Sequence, residues 1–128
     1  MLSNAPVSAV LPATDIARAK KFYSEKLGLK QIDMEMPSDT AMFECGSGTT
    51  IFIYQRATAG ADHTQANFDV KDIVSEMKEL RERGVVFEDY DFPGLKTENG
   101  IAIMPDGKHK SAWFKDSEGN ILAIGQRG

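Results

Sequence analysis

The chain repeats itself, and that repeat limits the folds open to it more than any single motif does. Displacing the sequence by 71 positions lays the segment from Ala41 to Arg56 over that from Ala112 to Arg127, and Ala41, Phe43, Gly48, Ile53, Gln55 and Arg56 all meet identical residues. Each copy reads as a strand, a tight reversal at Gly48 or Gly119, and a second strand. Upstream, Ala13-Thr14-Asp15-Ile16 meets Val70-Lys71-Asp72-Ile73 at a displacement of 57, at the junction of a strand and a helix. Two similar βαβββ halves follow, and with them an α+β fold.

The helix of each half is amphipathic. Asp15 or Thr14 caps the first, whose apolar face is Ile16, Ala19, Phe22, Tyr23 and Leu27 before Gly28 stops it. Asp72 caps the second, where Ile73, Val74, Met77 and Leu80 recur at helical spacing up to Gly84. The mismatch between the two displacements leaves about fourteen extra residues between Val85 and Ser111. They are assigned to a loop including Glu88 to Thr97, whose Pro93-Gly94 pair marks a turn and whose aromatics suit a lid or the wall of a pocket.

At 128 residues the chain is the size of one domain, 1–128, with halves at about 5–58 and 62–128. A net charge of −4 opposes a nucleic-acid footprint, which needs clustered Lys and Arg. Apolar runs such as Ile51 to Tyr54 fall far short of a membrane span, and the N-terminus does not read as a signal peptide. Cys45 is the single cysteine, which excludes an internal disulfide and suits a reducing, cytoplasmic setting. Gly46 and Gly48 lie between strands and make no dinucleotide fingerprint, and no Gly-x-Ser-x-Gly elbow is present.

The stretches Phe22-Tyr23-Ser24-Glu25-Lys26-Leu27-Gly28-Leu29 and Trp113-Phe114-Lys115-Asp116-Ser117-Glu118-Gly119-Asn120-Ile121-Leu122, on top of the repeat, resemble the vicinal oxygen chelate superfamily. That group includes glyoxalase I, extradiol dioxygenases and bleomycin-binding resistance proteins. The resemblance implies curved mixed sheet around a cleft with the helices outside, and a homodimer formed by pairing modules across subunits. Catalytic relatives hold a divalent metal between four strands, and the ligand positions fall here on Ser8, Phe52, Gln65 and Ala123. Of these only Gln65 offers a metal donor, and a weak one, so no metal and no other cofactor is expected. A site combining His63 and Gln65 with His109 or Glu118 is the remaining arrangement that the sequence allows.

Strand alternation places Ile51 and Ile53 against the helix and Thr50, Phe52 and Tyr54 toward the cleft. The same rule sends Gln65, Asn67 and Asp69 inward and Ala66, Phe68 and Val70 to the helix. Ser8, Phe52, Tyr54, Gln65, Asn67, Trp113 and Ala123 are thus the candidate ligand-binding residues, joining aromatic walls to a few amides. The expected function is metal-free binding of a small hydrophobic or amphipathic molecule. Two enzymatic alternatives stand beside it. One is a metal-dependent lyase, isomerase or dioxygenase of the glyoxalase type with displaced ligands. The other is a metal-free enzyme using Tyr54, Glu44 or Asp69 as acid or base.

Overall fold

The computed structural model describes every residue except Met34 and Met36. Its first half runs β1 (Ala9–Ala13), α1 (Ile16–Lys21), β2 (Lys30–Gln31), β3 (Thr40–Glu44) and β4 (Thr50–Gln55). The second runs β5 (Thr64–Asp69), α2 (Ile73–Glu82), a hairpin of β6 (Asp91–Phe92) and β7 (Leu95–Lys96), then β8 (Ala102–Ile103), β9 (Lys110–Lys115) and β10 (Ile121–Gln126). The strands form two four-stranded sheets of matching order, β1-β4-β3-β2 and β5-β10-β9-β8, in which β1 pairs parallel with β4 and β5 with β10. The repeat read in the sequence is therefore a repeat of topology.

The two sheets lie alongside each other at β1 and β5 without a hydrogen-bonded ladder between them. Pro12 helps to explain this break, because it has no N–H to donate from the β1 edge. Both sheets turn one face into a common core. Leu11, Phe43, Ile51 and Ile53 of the first join Ala112, Phe114, Leu122 and Ile124 of the second, with Tyr23, Ile73 and Met77 from the helices.

Matched residues of the repeat do matched work. The Asp15 and Asp72 carboxylates accept the N–H of Arg18 and Ser75, so Asp15, not Thr14, caps α1. Gln55 and Gln126 each accept a further N–H from the start of their own helix, at Ile16 and Ile73. Gly28 and Gly84 follow the helical segments at φ +67° and +93°, a region that side-chain-bearing residues avoid.

Two expectations need correction. The first helix is not regular to Leu27: from Phe22 to Lys26 it widens into a π-turn, in which the Leu27 N–H donates to the Phe22 carbonyl at 3.2 Å. Phe22 and Tyr23, consecutive on this wide turn, are both buried in the core. The extra residues of the second half are not a simple loop either. They carry the β6–β7 hairpin, tied at its base where the Tyr90 N–H donates to Thr97 Oγ1 and the Thr97 N–H to the Tyr90 carbonyl.

Candidate functional site

The register of the first sheet places Val10, Phe52 and Met42 in one row across β1, β4 and β3, and Pro12, Tyr54 and Thr40 in the next. These residues lie on the face away from the core, as alternation requires once Ile51 and Ile53 are buried. The Phe52 and Tyr54 rings stack at 6.2 Å with planes 13° apart, and the Arg56 guanidinium sits 5.7 Å from the Tyr54 centroid. Val10 beside them is 55% exposed. This is an apolar and aromatic surface bounded by one cation.

The second sheet presents the row Asn67, Ala123 and Trp113 across β5, β10 and β9. The Trp113 Nε1–H donates to Thr64 Oγ1 at 3.0 Å, and Thr64 lies on β5, beyond β10. The indole therefore extends across β10. Ala123, only 3% exposed although it stands on this face, is consistent with that cover and is not open to a ligand as the sequence reading expected. Tyr90 meets the indole at 67° with centroids 5.7 Å apart, and Phe92 lies 5.8 Å from Tyr90. Neither Tyr90 nor Phe92 was among the candidate residues, although the aromatics of the inserted segment were noted.

The polar candidates are partly committed. Ser8 shares a hydrogen bond of 2.5 Å with Thr50. The Gln65 amide oxygen accepts the Ile121 N–H at 3.2 Å, beside the irregularity where β5 and β10 shift register. Asn67 donates through Nδ2 to Asp69 Oδ1 at 3.3 Å, and its Oδ1 lies 3.2 Å from where a Cβ on Gly125 would stand.

A concavity of about 380 Å³ opens at the seam of the two sheets, with Ala9, Thr50 and Ile51 on one side and Ala66, Asn67 and Phe68 on the other. Cys45 also borders it, and burial pushes its thiol above the ordinary range, which suits an inert residue. A larger groove of about 500 Å³ lies elsewhere, between α1 and the Gly84 to Glu88 stretch; its rim of Lys21, Lys26, Glu25 and Glu88 contains none of the candidate residues.

The four chelate positions do not fit a divalent metal. They supply a hydroxyl held by Thr50, a phenyl ring, an amide whose oxygen is taken by the backbone, and a buried methyl. The displaced arrangement finds no support in geometry. His63 is hydrogen-bonded to Asp62 and His109 to Asp106, each within its own exposed turn. Glu118 is occupied at the start of α1, where it accepts from the backbone N–H groups of Thr14 and Asp15 and from the Arg18 guanidinium. Among the described residues no three His, Cys, Asp or Glu side chains gather as a metal-binding group.

Residues 7–46 match the family model of the bleomycin resistance protein-like N-terminal region. No curated protein matches the sequence. Among solved structures, a member of the glyoxalase/bleomycin resistance protein/dioxygenase superfamily from Sphaerobacter thermophilus is similar at 22% identity and a TM-score of 0.75, over 99% of this chain and 100% of that one. A lactoylglutathione lyase from Agrobacterium tumefaciens is similar at 19% identity and 0.71, over 96% of this chain and 93% of the other. An antibiotic binding protein from Streptomyces gives 18% identity and 0.68, over 100% and 99%. Likeness at such identities is likeness of fold.

Proposed function

The chain has the fold of the vicinal oxygen chelate superfamily, and on that premise we propose that it is a metal-free binder of a small hydrophobic or amphipathic molecule, which it holds without transforming. The observation that carries this reading is the chemistry of the chelate positions: Ser8, Phe52, Gln65 and Ala123 leave no set of donors for a Lewis-acid metal, while the same faces keep aromatic side chains and the exposed amide of Asn67, which is bonded through Nδ2 to Asp69. A structural neighbour described as an antibiotic binding protein supports a sequestering role on this fold.

Metal analysis tests it directly. Protein purified as isolated, and again after incubation with nickel, zinc, manganese and iron(II) followed by desalting, is expected to retain metal well below one equivalent per chain. Stoichiometric retention would overturn the reading and make the protein a metalloenzyme of the glyoxalase type.

The proposal extends to a homodimer in the cytoplasm, where the single cysteine remains a thiol. The row of exposed Val10 and half-buried Phe52 and Met42 supports self-association, because apolar surface of this kind is stabilised by cover. Sedimentation equilibrium is expected to give twice the chain mass, and Val10→Lys to shift the equilibrium toward monomer. A monomeric parent protein at micromolar concentration would remove this part of the proposal.

A further inference from the structure

We propose a second ligand site, separate from the cleft: the groove between α1 and the Gly84 to Glu88 stretch takes an amphipathic organic anion, an apolar body ending in one carboxylate or sulfonate. At about 500 Å³ this concavity is of small-molecule size. It lies where α1 and its π-turn, from the first half, face the segment after α2 and the β9–β10 turn, from the second. Its apolar lining is Phe22, Val85 and Val86. Phe22 and Val85 are buried, but Val86 stands 79% exposed between buried Val85 and Phe87, an aliphatic side chain that gains from cover.

The charges around the groove select the sign of the ligand. In a chain of net charge −4, four basic side chains and three acidic ones line it. Most are already matched. Arg18 is paired with Glu118 at 2.7 Å and Lys115 with Glu88 at 3.6 Å, while the buried Asp116 carboxylate accepts from Tyr23, from Asn120 and from the backbone. Lys21, Lys26 and Glu25 remain, two ammonium groups against one carboxylate, and among the described residues none of the three side chains has an ion-pair partner. The Lys26 ammonium lies 6.0 Å from the Phe22 ring centroid, where apolar lining and charge meet. It gives one bond, to the Gly84 carbonyl at 3.4 Å, and keeps two donors for an anion whose apolar body lies along Phe22 and Val86.

The groove is formed before any ligand arrives, because bonds between the halves hold its two sides together. Arg83 Nη1 donates to the Glu25 carbonyl at 3.2 Å and Lys26 donates to Gly84, so the ends of the two helical segments are cross-tied. Arg18 and Tyr23 bind the first of these segments to Glu118 and Asp116 of the β9–β10 turn. A site whose walls are fixed in this way loses little conformational entropy when it is filled.

Octanoate is the probe and octylammonium its control, read by proton–nitrogen correlation spectra of the isotope-labelled full chain. Octanoate is expected to shift the amides of Phe22, Lys26, Val85 and Val86 saturably, to leave those of Phe52, Tyr54 and Asn67 in the cleft unmoved, and to bind more tightly than octylammonium. Lys21→Gln and Lys26→Gln are each expected to weaken octanoate binding about fivefold and Val86→Asp about tenfold, while Glu25→Gln strengthens it. Octylammonium binding as tightly as octanoate would overturn the proposal. Shifts centred on Phe52, Tyr54 and Asn67 would move octanoate to the cleft, removing the second site and leaving the proposed function standing. Absence of saturable shifts at millimolar octanoate overturns the second site as well. The reading of the cleft fails separately, on stoichiometric metal in the analysis above.

Discussion

At neutral pH the Glu118→Gln variant is expected to be less stable than the parent protein by about 3 kcal/mol, with the gap closing as the pH falls to about 2. Glu118 sits in the β9–β10 turn with a side chain wholly removed from solvent. Burial alone would raise its pKa. That effect is outweighed by hydrogen bonds from Arg18, from the Ser117 hydroxyl and from the Asp15 N–H, which together hold the carboxyl down at about 2 against an ordinary 4.5. A depressed carboxyl stabilises the fold fully above its unfolded value and loses that contribution as the pH drops through its folded value. Urea unfolding of both proteins between pH 7 and pH 2 measures the difference. A gap independent of pH would mean that Glu118 acts by shape, not by charge.

This carboxylate also breaks the symmetry of the fold. It accepts the Thr14 N–H at 2.9 Å and the Asp15 N–H at 3.0 Å, tying the hairpin of the second half to the first helix. The repeat places Ser47 at the corresponding point of the other hairpin, exposed and at φ 56°, where it offers no carboxylate to the start of α2. The junction is latched on one side only, so the variant is expected to weaken the contact between halves before it disturbs either sheet.

The parts of the fold that repeat were legible in the sequence. Ile51 and Ile53 are buried and Phe52 and Tyr54 are not, because period-two alternation survives in any half-covered strand. The same logic put Asn67 on the face away from the helix, where the structure shows it in one row with Trp113. It could not find how Trp113 lies, since the indole is held by a hydroxyl 49 positions away, on a strand that is not adjacent to its own. Nor could it find the place of Tyr90. Its hairpin has strands of two residues each, too short for any periodicity, and is fixed by the side chains of Asp89 and Thr97. The Glu118 latch was hidden for a related reason: its partners lie about a hundred residues upstream, and a glutamate in a turn reads as solvated until those partners are placed.

Tyr23 supplies the other large effect. Tyr23→Phe is expected to cost about 2 kcal/mol and Tyr23→Ala about 4 kcal/mol, for reasons that the two substitutions separate. The ring is fully buried on the π-turn, 5.6 Å from Phe43 and 5.5 Å from Phe22, so truncation to alanine opens a cavity in the shared core. The hydroxyl donates to Asp116 Oδ2 at 2.5 Å. Burial, with the nearby Asp116 carboxylate, pushes the phenol far above its usual range, so it remains a donor at every pH the fold survives. Asp116 is itself buried, and its other bonds are accepted from the backbone N–H groups of Glu118 and Asn120 and from the Asn120 amide. Phenylalanine keeps the volume and removes one donor from a buried carboxylate, an unbalanced loss that exceeds the net value of an ordinary hydrogen bond. Asn120 also donates to the Pro12 carbonyl and accepts the Gly60 N–H, so this group of side chains connects the helix of one half, the hairpin of the other and the segment between them. If thermal unfolding of Tyr23→Phe showed a loss below about 0.5 kcal/mol, a water would have taken the hydroxyl's place, and the knot would owe its stability to the Asp116 turn alone.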